Sequence, residues 1–101
     1  MTIKELFKKM EAANEFAEIT GDAKHYISLW ENYSIGEAKT YKEYKKLIKE
    51  TYVDCMVTPL LECEVTKQSS YIGDFVYDYD VTDMWGYEHK GKIEFEICRE
   101  A

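Results

Sequence analysis

The stretch from Tyr71 to Glu88 constrains the fold of this chain more than any other. Apolar and acidic side chains alternate through its middle, and a two-residue period predicts a β-strand with one apolar and one acidic face. The apolar side comprises Phe75, Tyr77, Tyr79 and Val81, and the opposite side comprises Asp74, Val76, Asp78 and Asp80. No Lys or Arg occurs from Gln68 to His89, so no cation of the same strand interrupts the acidic face.

The beginning of the chain has the pattern of an amphipathic helix. Thr2-Ile-Lys-Glu5 has the form of a capping box, in which the threonine hydroxyl accepts from the amide three residues later. Apolar residues then follow at three- and four-residue spacings, which form one face of a helix. We predict a helix over residues 3–19, ended by Gly21 as its C-terminal cap.

A second capping box, Thr40-Tyr-Lys-Glu43, predicts a second helix. We expect this helix to end by Thr58, because the residue before Pro59 is pushed out of the α region. Its outer face is predicted to be basic and contains Lys39, Lys42, Lys45, Lys46 and Lys49.

The remaining segments predict strands and turns. We expect strands at residues 24–31, 61–66 and 92–98, a loop at 32–37, and turns at 67–70 and at 89–91, the last a tight hairpin around Gly91. The order is α-β-α-β-β-β, with the long strand at residues 71–88 either continuous or broken near Asp83 to Gly86. Its three consecutive strands indicate an antiparallel meander. The sequence therefore predicts a single two-layer α+β domain over residues 1–101, with an antiparallel sheet of three to five strands and two helices on one face.

The charge of the chain is concentrated in its second half. Residues 1–50 carry nine lysines and nine acidic residues, whereas residues 51–101 carry four basic and eleven acidic residues. The whole net charge of −7 therefore falls in the half that is predicted to form most of the sheet. Negative charge repels a phosphate backbone, which argues against direct binding to nucleic acid.

Composition also indicates a compartment. The N-terminus does not have the pattern of a signal peptide, and no apolar run approaches the ~20 residues of a membrane span. The three cysteines, Cys55, Cys63 and Cys98, contain no C-x-x-C pair and fit reduced, buried thiols. We expect a soluble cytoplasmic protein without a membrane partner.

The acidic strand is the candidate binding site. We expect the charge to come from Asp74, Asp78, Asp80 and Asp83, and the apolar anchors to be Tyr79, Trp85 and Tyr87. Carboxylates two residues apart on a strand lie ~7 Å apart, a spacing comparable in scale with that of neighbouring backbone phosphates. The alternative is a sheet face that only keeps the protein in solution, because antiparallel sheets commonly show one polar face to water.

Metal binding and catalysis have weaker support. The run Asp78-x-Asp80-x-x-Asp83 departs from a calcium loop, which requires an acidic or amide ligand where Thr82 stands and glycine where Asp83 stands. No P-loop, nucleophile elbow, H-E-x-x-H or dinucleotide-binding motif occurs. We therefore expect no metal, no cofactor and no catalytic residues.

In its general character the chain resembles small acidic proteins encoded by phages and other mobile elements of low-GC bacteria, including anti-CRISPR and anti-restriction inhibitors. The resemblance rests on size, on lysine and glutamate usage with Arg99 as the single arginine, and on the acidic stretch Asp74 to Asp83. It implies a stoichiometric inhibitor that blocks the nucleic-acid-binding surface of a host enzyme through its carboxylates.

We therefore expect a non-enzymatic interaction protein whose acidic face docks into the groove of a basic nucleic-acid-binding host protein. The first alternative is a homo-oligomer, such as a homodimer, or a docking protein for a basic peptide, either of which would use the same aromatic and acidic strand. The second is a metal-dependent hydrolase.

Overall fold

The computed structural model describes residues 1–65 and 74–100, with the backbone alone at Asp74 and Phe75. Within these residues, three helices pack on one face of a four-stranded antiparallel sheet, so the chain has the predicted two-layer α+β class. The elements are α1 (Ile3–Thr20), β1 (His25–Trp30), β2 (Ser34–Ala38), α2 (Tyr41–Thr51), α3 (Asp54–Leu61), β3 (Asp74–Thr82) and β4 (Glu88–Arg99).

The first helix forms as the capping pattern predicts. The Thr2 hydroxyl accepts a hydrogen bond from the Glu5 amide at 3.2 Å, and Gly21 ends the helix with a φ of 77°. Asn14 then attaches the helix to the sheet. Its side chain accepts from the His25 amide at 2.7 Å and donates to the His25 carbonyl at 2.8 Å.

The second predicted helix is divided into α2 and α3. The chain becomes extended at Tyr52, whose φ and ψ are −115° and 156°. The ring of Tyr52 packs against the ring of Tyr79 in a T-shaped arrangement. The prediction that Pro59 lies beyond the helix is wrong, because Pro59 lies inside α3. Pro59 has no amide hydrogen, so α3 lacks the hydrogen bond that residue 59 would otherwise donate to the carbonyl of Cys55.

The predicted loop at residues 32–37 is wrong, because most of it belongs to β2. This strand pairs antiparallel with β1, and Ser28 lies opposite Glu37. Gly36 within it faces α2, where the tip of Leu47 lies 3.0 Å from the place that a β-carbon would occupy. The glycine that suggested a loop therefore makes room for close packing of the helix on the strand.

The predicted strand at residues 61–66 is also wrong in its main part. Leu61 ends α3, and the following residues make only an isolated bridge between Glu64 and Thr2. The Val65 amide donates to the Met1 carbonyl at 2.8 Å, so this short segment holds the start of the chain. Thr66 and the predicted turn at 67–70 lie outside the described residues.

The hairpin between β3 and β4 turns earlier in the chain than predicted. The connection is the loop Asp83–Tyr87, in which Gly86 has a φ of 88°. The predicted turn at 89–91 is wrong, because these residues lie inside β4. Residues 71–73 of the predicted strand lie outside the described part of the chain.

The strand order β2-β1-β4-β3 corrects the predicted meander. The last strand, β4, lies inside the sheet and pairs with both β1 and β3. Only its second half, from Glu94 onward, has β1 as a neighbour. The first half of β4 and the end of β3 therefore extend as a two-stranded ribbon, and the described residues measure 51 × 25 × 24 Å overall.

The core lies between the sheet and the helices. Phe7, Tyr44 and Phe95 form its aromatic centre, with ring centroids 5.1 Å apart for the first pair and 6.1 Å for the second. The hydroxyl of Tyr44 donates to the Leu60 carbonyl and so joins α2 to α3. The other large side chains with almost no exposed surface are Ile3, Ile27, Leu29, Ile48, Leu60 and Ile93.

Candidate protein-interaction site

None of the described helices covers the second face of the sheet, and its chemistry follows from the register. On β1, Ser28 lies between Glu37 of β2 and Glu96 of β4. Trp30, two residues after Ser28 on β1, lies opposite Glu94 of β4. We call Trp30, Glu37, Glu94 and Glu96 the acidic sheet face. Asp74 pairs with Glu96 in the register and so continues the same row into β3.

Within residues 1–65 and 76–100, the carboxylates of the acidic sheet face form no close ion pair. No Lys or Arg nitrogen of these residues lies within 4.0 Å of the carboxylates of Glu37, Glu94 or Glu96. Lys92 nevertheless lies two residues before Glu94 on β4. Glu100 raises the pKa of Lys39 most, and Glu43 and then Glu37 raise it to a lesser degree. Tyr26 lies on the same face of β1 as Ser28 and Trp30. The neighbouring Cys98 raises the pKa of Tyr26 most, and burial and the carboxylate of Glu37 raise it further.

Two of the predicted acidic residues face lysines. Asp78 lies opposite Lys92 and Asp80 lies opposite Lys90 on β4, and the Lys90 ammonium is 4.0 Å from the Asp80 carboxylate. The alternation within β3 is as predicted, but the neighbouring strand supplies the cations that β3 itself lacks. Of the acidic sheet face, Glu94 lies nearest these lysines, two residues after Lys92 on β4, and Glu96 lies two residues further along the strand.

Trp30 is the aromatic residue of this face with the most accessible ring. It is 40% exposed although it lies within a sheet, whereas Ser28 beside it is 7% exposed. Tryptophan is enriched at the centres of protein interfaces because it offers a large apolar surface together with a hydrogen-bond donor. An exposed tryptophan beside three carboxylates therefore combines an apolar anchor with charge.

Tyr79, a predicted anchor, lies on the opposite face. It is half-buried against the helices, and its hydroxyl donates to the Glu31 carboxylate. Burial, and then the bond to Glu31, raise the pKa of Tyr79 to about 12. The structure therefore separates Tyr79 from Asp78 and Asp80, which point the other way along the same strand.

Asp83 organises the loop at the end of the hairpin. One carboxylate oxygen, Oδ1, accepts from the amides of Trp85 and Tyr87, each at 2.9 Å. The other oxygen lies 3.0 Å from Nε2 of His89. The bond to His89 is the main cause that lowers the pKa of Asp83, and the two amides add to it. The Asp83 carboxylate therefore interacts mainly with groups of the hairpin itself.

The same loop displays large apolar side chains. Met84, Trp85 and Tyr87 are 83%, 78% and 70% exposed. Across from them lies the junction of α2 and α3, and the two parts enclose a cavity of about 520 Å³. We call this cavity the tip groove, and its lining residues are Val53, Asp54, Cys55, Asp83, Met84 and Trp85. Two of the predicted site residues, Asp83 and Trp85, thus come together here.

The described residues offer little to a catalytic or metal-dependent reaction. No group of three or more His, Cys, Asp or Glu side chains converges on a possible metal position in the part of the chain that the structure describes. Burial raises the pKa of the Cys63 thiol to about 12, which keeps it protonated and unreactive at neutral pH. His89, on β4, faces Asp83 of the hairpin loop.

The lysines of the second helix lie away from the acidic sheet face, because α2 packs on the other side of the sheet. Lys45 lies over the ring of Tyr41, with its nitrogen 5.4 Å from the centroid. Lys39, which precedes the helix, pairs with Glu100 at 2.6 Å. The lysines of α2 therefore belong to the helical layer, where Glu43 and Glu50 lie among them.

Comparison of this chain with protein-family models, with curated proteins and with solved structures finds no match. Among the described helices, none is both long enough and apolar enough to span a membrane.

Sequence reasoning missed several residues of these two surfaces. Glu37 lies in a segment predicted to be a loop, and Val53 and Asp54 lie in a segment predicted to be helix. The alternation of the 92–98 strand does place Glu94 and Glu96 on the outer face of the predicted sheet, and the outer side of the 24–31 strand, which includes Trp30, is not wholly polar. The tip groove has no sequence signal, since its two walls lie about thirty residues apart and meet only in the folded chain.

Proposed function

We propose that this protein is a non-enzymatic inhibitor that docks its acidic sheet face into the basic nucleic-acid-binding groove of a host enzyme. The observation that carries the proposal is the cluster of Glu37, Glu94 and Glu96 around the exposed ring of Trp30, on a sheet face that no described helix covers. Two expectations from the sequence belong to the same proposal. They are the cytoplasmic location expected from composition and the phage origin implied by the resemblance.

The geometry of a sheet suits this mode of binding. Glu94 and Glu96 are two residues apart on β4, so their carboxylates project from the same face at a separation of ~7 Å. Strands hold this spacing without relying on mobile loops. Complementary charge raises the rate of association and selects basic partners. Burial of the Trp30 ring against the partner would slow dissociation.

The test compares two variants with the same net charge. The first is Glu37→Gln/Glu94→Gln/Glu96→Gln, which neutralises the acidic sheet face. The control is Glu15→Gln/Glu50→Gln/Glu62→Gln, which removes three exposed carboxylates elsewhere. Each protein is used as bait for purified bacterial nucleases and restriction enzymes, and binding is measured at low and high salt in the presence of competing duplex DNA.

We expect the parent and the control to bind a basic nuclease with an affinity that falls as the salt concentration rises. Duplex DNA should displace both proteins from the nuclease. The sheet-face variant should lose most of this binding. Equal losses in both variants would show that only net charge matters. A ternary complex with DNA would rule out a blocked groove, and a stable homodimer that buries Trp30 would favour self-association instead.

A further inference from the structure

The tip groove is a second surface with the properties of a docking site, separate from the acidic sheet face. Its walls come from the hairpin loop and from the start of α3. Val53 on one wall is 50% exposed, and Met84 and Trp85 on the other are 83% and 78% exposed. Exposed apolar side chains that converge on one cavity mark binding sites more often than scattered ones do.

The loop wall is held in place before any partner arrives. Asp83 accepts from the amides of Trp85 and Tyr87, and the Gly86 amide donates to the Asp83 carbonyl at 3.0 Å. A loop fixed by its own hydrogen bonds loses little conformational entropy on binding. Met84 and Trp85 are therefore displayed on a pre-organised turn.

Charge defines which partner fits. Two of the lining residues, Asp54 and Asp83, are acidic, and none of the lining residues in the described part of the chain is basic. The bond to His89 offsets the charge of Asp83, whereas Asp54 is exposed at the first turn of α3. The open ring of Trp85 is also a good surface for a guanidinium or ammonium group.

We propose that the tip groove binds a segment of a partner protein in which a large aliphatic side chain is adjacent to Arg or Lys. The aliphatic side chain enters between Val53 and Met84, and the cation lies over the ring of Trp85 and beside the Asp54 carboxylate. This proposal does not depend on the acidic sheet face, which lies on a different part of the molecule.

The test uses short synthetic peptides of alternating Leu and Arg, with Leu/Gln and Leu/Glu peptides of equal length. Binding is followed by tryptophan emission in a Trp30→Phe background, so that Trp85 is the only reporter. Site-resolved alkylation provides a second readout, in which Cys55 lies in the groove and Cys98 lies outside it.

We expect the Leu/Arg peptide to saturate the emission change and to slow alkylation of Cys55 but not of Cys98. The Leu/Gln peptide should bind about tenfold more weakly, which corresponds to the loss of one good charge contact, and the Leu/Glu peptide should not bind. Asp54→Asn should reduce the preference for Leu/Arg over Leu/Gln.

Matched surface variants locate the site. Met84→Ser should weaken binding of the Leu/Arg peptide, whereas Ile19→Ser should not, although Ile19 is 84% exposed on α1. The Glu37→Gln/Glu94→Gln/Glu96→Gln variant should bind the peptide as the parent does, so failure of the proposed inhibitor function would leave this result unchanged.

Three outcomes would overturn the proposal. They are equal binding of the Leu/Glu peptide, an equal effect of Ile19→Ser, and a homodimer that dissociates when Met84 is changed to Ser. The last outcome would identify a second copy of the chain as the occupant of the groove.

Discussion

The ring of Tyr79 lies over Gly91 of the neighbouring strand, in the space that a side chain at position 91 would fill. A β-carbon added there would be 2.5 Å from Cζ of Tyr79. The ring is held from both sides, because its hydroxyl donates to Glu31 and its edge meets Tyr52 with centroids 6.4 Å apart. Glycine is therefore required at this position by cross-strand packing and not by a turn.

Gly91→Ala should destabilise the protein by ~1–3 kcal/mol, the usual cost of an added methyl group in a packed site. Urea unfolding followed by circular dichroism measures the change. In a Tyr79→Ala background the same substitution should cost much less, because the clash is absent, so a double-mutant cycle should show strong coupling. Additive effects of the two substitutions would contradict this packing arrangement.

Tyr44 and Tyr52 should respond differently to removal of the hydroxyl. Tyr44→Phe removes the donor to the Leu60 carbonyl in the core and should cost ~1–2 kcal/mol. The buried Tyr52 hydroxyl makes no hydrogen bond of good geometry among the described residues, although burial and then the nearby Glu31 carboxylate raise its pKa. Tyr52→Phe should therefore leave the free energy of unfolding unchanged or raise it. Chemical denaturation of both variants checks the prediction, and a large loss in Tyr52→Phe would contradict it.

The hairpin loop should loosen in acid. The pKa of Asp83 is lowered in the folded state, chiefly by its bond to His89. Its contribution to stability is therefore complete above the ordinary carboxyl pKa of ~3.9, and it is lost as the pH falls through the lowered folded-state value. The amide NMR signals of Trp85 and Tyr87 should move together over this acidic range.

Asp83→Asn is the control for that titration. Asparagine retains an oxygen that accepts from the two amides but has no carboxyl group to protonate. The acid-induced shift at Trp85 and Tyr87 should therefore disappear in this variant. A shift of unchanged size would assign the transition to another group.

Asn14→Ala should loosen the attachment of α1 to the sheet. Both hydrogen bonds to the backbone of His25 are lost, at a cost of ~1–3 kcal/mol. Amide hydrogen exchange at His25 should accelerate, and the free energy of unfolding should fall. As a control, Asn32→Ala at an exposed position should change little, within ~0.5 kcal/mol.

Local signals predicted the parts of the fold that local chemistry determines. The helix from Ile3 to Thr20 has a side-chain cap at one end and a glycine cap at the other, and both operate as expected. The same signals failed where tertiary contacts decide. Gly36 and Gly91 are typical of turns, yet both lie in strands where a large neighbouring side chain occupies the space of the missing β-carbon.

The candidate site was predictable only along single strands. The two-residue period predicts that Asp78 and Asp80 point to the face of the sheet opposite Tyr79, and the structure has the same alternation. It does not reveal which residues of another strand lie alongside. Lys90 and Lys92 lie opposite these aspartates because β4 pairs with β3 from Glu88 onward, and that register depends on where the hairpin loop begins.

The position of β4 inside the sheet has a consequence for how the chain is made. Ile27 on β1 pairs with Ala38 of the nearby β2, but its neighbour on the other side is Ile97, so most of the described chain must leave the ribosome before the two halves of the sheet can join. Until then the β1–β2 hairpin and β3 expose edges that later pair with β4. Such unpaired edges favour aggregation, and fast release or a chaperone would protect the nascent chain during this interval.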